Sequence, residues 1–580
     1  MNMKKIALAV LVLGFCFSLS HAQQEETYNE SVLVKGSYRP VIEQKEKVDF
    51  PAMITDTMTR MDHSFQYSIT PTRLRSVYEP ARIKAARIVG EPATKLYNNY
   101  FRVGMGNYWS PLADFYWSST RDTKKTYGVK LNHFSSWGTL PEYGKNHYGL
   151  TGVTLFGKYI VADKLQLSSD LSYEHDHNLY YGGMADSTLD RLYNFTREDL
   201  SVSEYKAKYN VATWNIGVRN MELDGYKLGY SANLRLSDLW ASWGQNEFNL
   251  NLSGDIHYGF MPLREMKGVA YLSIEWDGYG HRFNPDGTMP WGYKTMAPTE
   301  VGRGSRNIVK VNPYVDFMYE GLLFHAGFTT GWDGFTADTA VTFRFFPDIV
   351  ASKSLMDEAL VLSLGATGGF SANSWDVIRK INPYVAPDAE QRATRHYDFT
   401  AHARWTISKK LEANAEMGFS LLQDDLSFTV DTNYRYLNTF RSMYVNNNRF
   451  SIGADIAFVN DEMLTLRAAG HYYHYTLTGD DTALFYRPDW DFLLSADVNY
   501  NDKWFFHLEG QLLGKMQGDL GEELPMRCGI NAEVEYRHNR ALSFFLQMNN
   551  LAFQRYYYWT NYPSQKGLFI LGLTYTIPHK

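Results

Sequence analysis

The sequence predicts an all-β transmembrane protein, a closed antiparallel β-barrel of about 22 strands behind a short N-terminal segment. Three observations lead to this fold class. Apolar and polar residues alternate over 9–11 residues in segment after segment, short polar turns interleave with longer loops, and the chain begins with a secretory signal. The 580 residues are enough for one very large domain.

The alternation is clearest in the stretch "CGINAEVEYRHNRALSFFLQM", residues 528–548. Apolar side chains there alternate with polar ones, the polar set being Asn531, Glu533, Glu535 and Arg537. Successive side chains of a strand point to opposite faces of the sheet, so this pattern gives one dry and one wet face. In a spanning barrel the dry face meets lipid and the wet face meets the lumen.

Strand length separates this fold from a large soluble β-protein. A tilted strand needs about 9–11 residues to cross a bilayer, whereas soluble strands average about 5–6. Short turns such as 161–164 and 500–503 are predicted at one rim. The longer loops, which this layout puts at the opposite rim, are 177–200, 278–305, 372–394, 422–447 and 550–565. With all long loops at one rim, we predict 22 strands; counts of 20 or 24 stay open, because 201–220 is read as one long strand and 422–447 has room for another hairpin.

The predicted strands begin near residues 97, 112, 124, 148, 165, 205, 225, 246, 267, 306, 321, 338, 359, 395, 410, 448, 463, 490, 503, 525, 541 and 566.

Composition excludes several classes of protein. Aromatic residues make up 16 % of the chain, with 42 Tyr, as suits surfaces where an apolar region meets water. The mean hydropathy of −0.37 does not fit a helical membrane protein. The formal net charge of −6 argues against nucleic acid as a partner. Of the two cysteines only Cys528 lies beyond the N-terminal signal, which excludes an intramolecular disulfide framework.

The N-terminus reads as a signal peptide. Lys4 and Lys5 precede the apolar run 6–19, and Ser20-His21-Ala22 forms a small-residue cleavage site. We therefore predict cleavage after Ala22 and export to the outer membrane. The predicted domains are the signal peptide 1–22, a periplasmic or luminal segment 23–96, and the barrel 97–580.

The segment 23–96 carries a resemblance. An acidic approach containing Glu25, Glu26 and Glu30 leads to Val32-Leu33-Val34 and, further on, to the barrel. This arrangement resembles the mature N-terminus of TonB-dependent receptors, and the predicted strand number is that family's barrel size. The resemblance implies that Val32, Leu33 and Val34 add as a β-strand to the periplasmic energy transducer TonB.

The chain departs from that family in one respect. Its members carry a plug domain of well over a hundred residues, whereas only residues 35–96 lie between the TonB-box-like stretch and the barrel here. The chain is therefore most similar to plugless, receptor-like outer-membrane proteins of Bacteroidetes-type bacteria. Either residues 35–96 form a reduced stopper, or loops and a partner protein close the lumen.

The sequence offers no catalytic or cofactor motif, and we predict neither an enzyme nor a metal site. The pairs His175/His177 and His471/His474 are alternative candidates for metal ligands, but Tyr and His mixtures are also expected at the membrane interface. The loop 278–307, rich in Gly, Pro, aromatics and Arg, is the best candidate for contact with an outside ligand; a solvated gate is the other interpretation.

Charged residues on the wet face are candidates for lining the lumen, where they could steer a solute, pair with the N-terminal segment or simply be solvated. These candidates are Arg102, Arg235, Asp255, Asp497, Glu533, Glu535 and Arg537.

Three functional hypotheses follow. The first is a TonB-dependent-receptor-like barrel that binds or imports a solute. The second is an outer-membrane scaffold or an assembly or secretion barrel, and the third is a passive channel for hydrophobic solutes. The expected partners are outer-membrane lipid, TonB or another periplasmic protein, and a surface lipoprotein.

Overall fold

The computed structural model describes residues 98–119, 122–221, 228–263, 266–283, 302–335, 342–433, 436–460, 463–479 and 483–577. The predicted signal peptide 1–22, the predicted segment 23–96 and its TonB-box-like stretch 32–34 lie outside these residues. Among the described residues no helix is long and apolar enough to cross a membrane.

One antiparallel sheet of 22 strands forms the fold. Its first eleven strands are β1 Asn99–Gly106, β2 Ser110–Ser118, β3 Lys125–Ser136, β4 Tyr148–Val161, β5 Leu165–Leu179, β6 Lys206–Asn220, β7 Leu228–Ala241, β8 Gln245–Leu263, β9 Met266–Phe283, β10 Gly302–Tyr319 and β11 Leu322–Phe335. The other eleven are β12 Thr342–Leu355, β13 Leu360–Ala372, β14 Ala393–Ser408, β15 Leu411–Val430, β16 Phe440–Asn460, β17 Leu464–Leu477, β18 Trp490–Tyr500, β19 Trp504–Leu513, β20 Arg527–Arg537, β21 Leu542–Asn549 and β22 Leu568–Tyr575.

Each strand pairs with its neighbours in the chain, and β1 also pairs with β22, from Phe101 opposite Tyr575 to Gly106 opposite Ile570. The sheet is therefore a closed barrel, and the predicted fold class and strand number are confirmed. Closure leaves no sheet edge with unpaired backbone groups, as a spanning sheet requires.

The two described α-helices, the 3₁₀ turns Arg197–Asp199 and Val202–Glu204, and the short additional strands lie in the loops. The helices are α1 Asp186–Tyr193 and α2 Trp375–Ile381. The additional strands form three two-stranded hairpins, Thr139–Leu140 with Gly144–Lys145, Met516–Gln517 with Glu523–Leu524, and Tyr557–Trp559 with Tyr562–Pro563.

The outward face of the barrel is apolar. Large hydrophobic side chains are exposed there on strand after strand, among them Val103, Leu131, Leu155, Leu171, Ile256, Ile274, Ile452, Leu494 and Leu571. In the stretch 528–548, Val534 of β20 lies in register between Phe506 and Leu546, which are both exposed. The dry face predicted for this stretch therefore points outward. Such a belt replaces contacts with water by contacts with acyl chains.

The two rims differ as predicted. One rim has turns of a few residues, such as 409–410 and 501–503, and the chain enters β1 and leaves β22 there. The opposite rim has the long connections 180–205, 373–392 and 550–567. In outer-membrane barrels the long loops are extracellular, which makes the second rim the outer one.

One predicted loop is wrong. Residues 422–447 do not form a loop with room for a further barrel hairpin, because β15 continues to Val430 and β16 starts at Phe440 rather than near residue 448. A register shift between Leu422 and Asp425 marks the place where the hairpin departs from the regular wall. This bulge changes which side chains face inward, so the sequence loses its period there.

Candidate functional site

The long connections of the outer rim pack into one body, called the cap here. The cap comprises the described residues 137–147, 180–205, 373–392, 436–439, 483–489, 514–526 and 550–567. Its buried apolar core includes Leu140, Tyr180, Tyr181, Trp375, Ile378, Val385, Tyr486, Met516, Leu524 and Tyr562. Inward side chains of the strands, such as Tyr209 and Leu239, complete this core.

The loop 373–392, which carries α2 and is called the crossing loop here, is held by charged groups of the wall. Arg379 forms an ion pair with Asp176 of β5 at 2.6 Å. The buried carboxylate of Glu247 on β8 accepts hydrogen bonds from the backbone N–H groups of Trp375 at 2.6 Å and Asp376 at 3.3 Å. A helix start leaves such N–H groups unpaired, so a carboxylate there stabilises α2.

The crossing loop spans the interior of the barrel. It connects β13 to β14, yet Pro383 accepts a hydrogen bond from Asn178 at 2.7 Å and Val385 accepts one from Tyr180 at 2.8 Å. Asn178 is on β5, and Tyr180 is the first residue after that strand. Seven strands of the wall separate β5 from β13. Residues that far apart around a cylinder can meet only across its lumen.

Stacked tyrosines form the centre of the cap. The rings of Tyr384 and Tyr562 stack with centroids 3.6 Å apart, and Tyr181 meets Tyr562 edge-on at 5.1 Å. The hydroxyl of Tyr562 donates to Asn438 O at 2.6 Å, and that of Tyr181 donates to Pro563 O at 2.9 Å. Four loops, 180–205, 373–392, 436–439 and 550–567, are thereby tied together by aromatic contact and hydrogen bonding.

Burial raises the pKa of Tyr384 to about 12, and it also raises the pKa values of Tyr181 and Tyr562. These phenols therefore stay neutral and keep their donor hydrogens at physiological pH.

A buried arginine fixes the loop 180–205. The guanidinium of Arg197 pairs with Asp186 at 2.6 Å and donates to the carbonyl oxygens of Gly182 at 2.8 Å and Met184 at 2.6 Å. Five N–H donors in a rigid fork let one side chain satisfy several acceptors at once. Arg197 therefore gives this loop one defined conformation.

The salt bridges of α2 lead to a prediction about acid. Burial raises the pKa of Asp376, but Arg379 and Lys380 outweigh this and lower it below its ordinary value. A carboxyl group with a lowered pKa stabilises the fold above its unfolded pKa and loses that contribution as pH falls through the folded pKa. We therefore expect the part of the hydrogen-exchange protection of the crossing loop that Asp376 contributes to be lost below about pH 4.

In Asp376→Asn, which cannot titrate at this position, the acid-dependent part of that loss should shrink. A loss of protection below about pH 4 that is as large in Asp376→Asn as in the wild type would contradict the assignment to Asp376.

The seven luminal candidates all lie on strands, on the face opposite the apolar belt. Arg102 on β1 forms an ion pair with Glu533 on β20 at 2.9 Å, and its guanidinium stacks over Phe545 at 4.0 Å. Arg537 stacks over Phe505 at 4.1 Å, and Glu535 lies in register opposite the same ring. The structure thus brings Arg102 and the β20 candidates together on one part of the wall.

The other three candidates lie elsewhere. Asp497 on β18 contacts His507 at 2.7 Å. Asp255 on β8 accepts a hydrogen bond from Ser231 and lies 3.5 Å from His257. Arg235 on β7 is in register with Asn215 and Asn251. These residues do not converge on one point, so they line different parts of the wall.

Two inward histidines each lie between two carboxylates, and the sequence points to His471 only as a metal-ligand alternative and does not point to His325. His325 lies between Asp316 at 2.7 Å and Asp348 at 3.2 Å, and His471 lies between Asp491 at 2.9 Å and Glu416 at 3.5 Å. Their carboxylate partners come from other strands and are 9 to 55 positions away, so the only signal in the sequence was a histidine at an inward position of the period.

The metal alternatives gain no support from the described residues. His175 and His177 share the outward face with ring centroids 6.2 Å apart, whereas His471 and His474 lie at positions of opposite facing on β17. Within the described part of the chain, no group of three or more His, Cys, Asp or Glu has the geometry to hold a metal ion.

The predicted ligand-contacting loop is shorter than expected. Residues 278–283 belong to β9 and residues 302–307 belong to β10, where Arg306 pairs with Asp333 at 2.6 Å and donates to Gln391 O of the crossing loop at 3.2 Å. Residues 284–301 lie outside the described residues, as do Val32, Leu33 and Val34.

Solved receptors and transporters share this barrel at low sequence identity. The FrpB iron transporter of Neisseria meningitidis matches with a TM-score of 0.61 at 9 % identity, over 84 % of this chain and 82 % of that chain. A variant of the ferric enterobactin receptor PfeA of Pseudomonas aeruginosa matches with a TM-score of 0.60 at 12 % identity, over 83 % and 80 %. The ferric-catecholate import receptor Fiu of E. coli gives 0.59 at 10 % identity, over 83 % and 82 %.

No protein-family model matches the sequence, and no curated protein does. The chain has the barrel fold of the TonB-dependent receptors, so the predicted resemblance is confirmed at the level of the fold.

Proposed function

We propose that this protein is an outer-membrane barrel that binds or imports a solute in the manner of TonB-dependent receptors. The observation that carries this proposal is the crossing loop, which is fixed to β5 across the lumen and also to β8 and β10. Because the cap crosses the lumen at the outer rim, we infer that a solute passes only if the cap rearranges. A ligand or partner that binds the rearranged state more tightly would favour that change.

The proposal includes the predicted topology. The signal peptide is cleaved after Ala22, the barrel inserts in the outer membrane, and residues 23–96 precede β1 at the rim of short turns, which is the periplasmic one. There Val32-Leu33-Val34 would add as a strand to TonB, with the backbone supplying the hydrogen bonds. A surface lipoprotein is proposed as an outside partner.

The alternatives differ in what they require of the cap. A passive channel for hydrophobic solutes needs a continuous open path, and the packed tyrosine centre of the cap counts against it. A scaffold or an assembly or secretion barrel needs only a stable outer surface, which the same cap provides. Partner capture, rather than conductance, therefore separates the remaining two functions.

The test is site-specific photo-crosslinking in cells, with a benzophenone amino acid in place of Tyr38. We expect TonB to be captured, and we expect deletion of Val32, Leu33 and Val34 to reduce that capture to background. In the control, the three residues are replaced by Ile-Val-Ile, which keeps an extended β-branched strand, and capture should persist.

Capture of assembly or secretion components, unchanged by the deletion, would overturn the import proposal and support the scaffold. A second crosslinker at Tyr67 reports whether the segment is exported and accessible in each variant.

A further inference from the structure

A cationic surface lies on the outside of the barrel just below the outer rim. This surface, called the rim patch here, consists of Lys145, His147, His175, His177, Lys206 and Lys208. His177 of β5 is directly opposite Lys208 of β6, and Lys206 is opposite the last residue of β5. The patch is therefore continuous across two strands and the adjoining loop 137–147.

Strand alternation fixes the outward direction of the patch. On β6, Ala207 and Tyr209 are buried in the core of the cap. Lys206 and Lys208 alternate with them along the strand and therefore face out. On β5, Asp176 binds Arg379 inside the barrel, so His177 next to it faces out. His177 packs over Gly149, where an added Cβ would lie 2.8 Å from the imidazole.

The rim patch has no counter-charge of its own. Among the residues that the structure describes, no carboxylate lies within ion-pair distance of Lys145, Lys206 or Lys208. Burial lowers the pKa of His147, and the neighbouring Lys145 and Lys206 lower it further. Three cations and three imidazoles therefore share one surface with no acidic partner, which favours binding of an anion.

The same face becomes apolar toward the middle of the barrel. Leu155, Leu171 and Trp214 lie farther down β4, β5 and β6 and are about half exposed. Tyr173 and Trp240 lie between these apolar residues and the lysines, with their ring centroids 6.2 Å apart. The Tyr173 hydroxyl donates a hydrogen bond to Asn210 at 2.8 Å. Aromatic rings with polar tips mark the membrane interface.

We propose that the rim patch binds the phosphorylated headgroup of an anionic lipid of the outer leaflet, with the acyl chains of that lipid lying along Leu155, Leu171 and Trp214. The surface is cationic at the height of the headgroups and apolar below it. An anionic lipid is complementary to this surface, because its headgroup is negatively charged and its acyl chains are apolar. Lysine ammonium groups donate to phosphate oxygens as point charges, and the N–H group of a neutral imidazole can donate to the same oxygens. The inference depends on which rim is outside and not on the solute that the barrel carries.

The test uses the full-length protein in nanodiscs of phosphatidylcholine with added lipid A, a phosphorylated glycolipid. Bound lipid A is measured by native mass spectrometry across a titration. We expect the triple variant Lys145→Gln, Lys206→Gln, Lys208→Gln to bind lipid A on the order of a hundredfold more weakly, taking about a factor of five per lysine. The matched control is Lys515→Gln, a lysine of the same rim that is paired with Glu523, and it should bind like the wild type.

Three further arms separate the sources of the anion. Wild-type protein should bind dephosphorylated lipid A about as weakly as the triple variant binds lipid A, and this arm needs no substitution that could disturb folding. Inorganic phosphate at millimolar concentration should not compete. Equal binding by all proteins, full competition by inorganic phosphate, or retention of an acidic protein in place of lipid A would each overturn the proposal. Heat-modifiable electrophoretic mobility shows that each variant is folded.

Discussion

Arg379→Met is expected to release the crossing loop from the barrel wall. The Arg379 side chain is 4 % exposed and lies between Asp376 of its own helix at 2.5 Å and Asp176 of β5 at 2.6 Å. Removing one partner of a buried ion pair costs about 3–5 kcal/mol, because the remaining charge stays buried without compensation. Since Asp176 is 22 % exposed and regains some hydration, we expect the lower end of that range.

The measurement is hydrogen exchange of residues 373–392 in detergent or nanodiscs. Protection there should fall by about two orders of magnitude, while the strands below the cap keep theirs. The control is Lys380→Met, one residue away, which pairs with the same Asp376 at 2.9 Å but is 50 % exposed. Exposed pairs contribute about 0–1 kcal/mol. Equal losses in the two variants would show that the buried contact with Asp176 does not hold the loop.

Gly183→Ala is expected to disrupt the centre of the cap. Gly183 has a φ of +89°, and an added Cβ would lie 2.1 Å from the backbone oxygen of Tyr436 in another loop. The left-handed conformation costs an L-residue about 1–2 kcal/mol, and overpacking against backbone adds about 1–3 kcal/mol. The two loops must therefore separate, which should raise hydrogen exchange in residues 180–205.

Gly521→Ala serves as the control, because it carries the cost of the positive φ without a steric clash of the added Cβ. Gly521 lies in a loop of the same rim at a φ of +86°, and no atom is within 4 Å of the added Cβ. This variant should lose only about 1–2 kcal/mol, confined to its own loop. If Gly183→Ala exchanges no faster in residues 180–205 than Gly521→Ala does, close packing between these loops is not what holds the cap together.

The barrel itself was predictable because its physics is local. Alternation along one strand reports both its faces, and the lengths of turns and loops report the rims, so the sequence predicts 22 strands and leaves 20 and 24 as alternatives. The prediction fails at residues 422–447, where Ser427 and Phe428 are both buried because the cap covers the hairpin on two sides. A strand with two dry faces has no period of two to read.

The cap was not predictable for a different reason. Its contacts join residues such as Tyr181 and Pro563, or Tyr562 and Asn438, that are more than a hundred positions apart. A tyrosine in a loop looks the same in the sequence whether it stacks in a core or faces water. Likewise, the period of two puts Arg102 and Glu533 on the same face of their strands, but their ion pair depends on closure of the whole ring.

The pairing of β1 with β22 also has a consequence for biogenesis. It joins residues separated by nearly the entire polypeptide, from Phe101 with Tyr575 to Gly106 with Ile570. Contacts of such large sequence separation form slowly, because the intervening chain must be organised first. The ribbon is therefore complete before its ends meet, and until then both carry free backbone groups that invite pairing with other chains. A truncation that removes the final eight-residue strand should leave an insertion intermediate that depends on cellular folding helpers and is degraded.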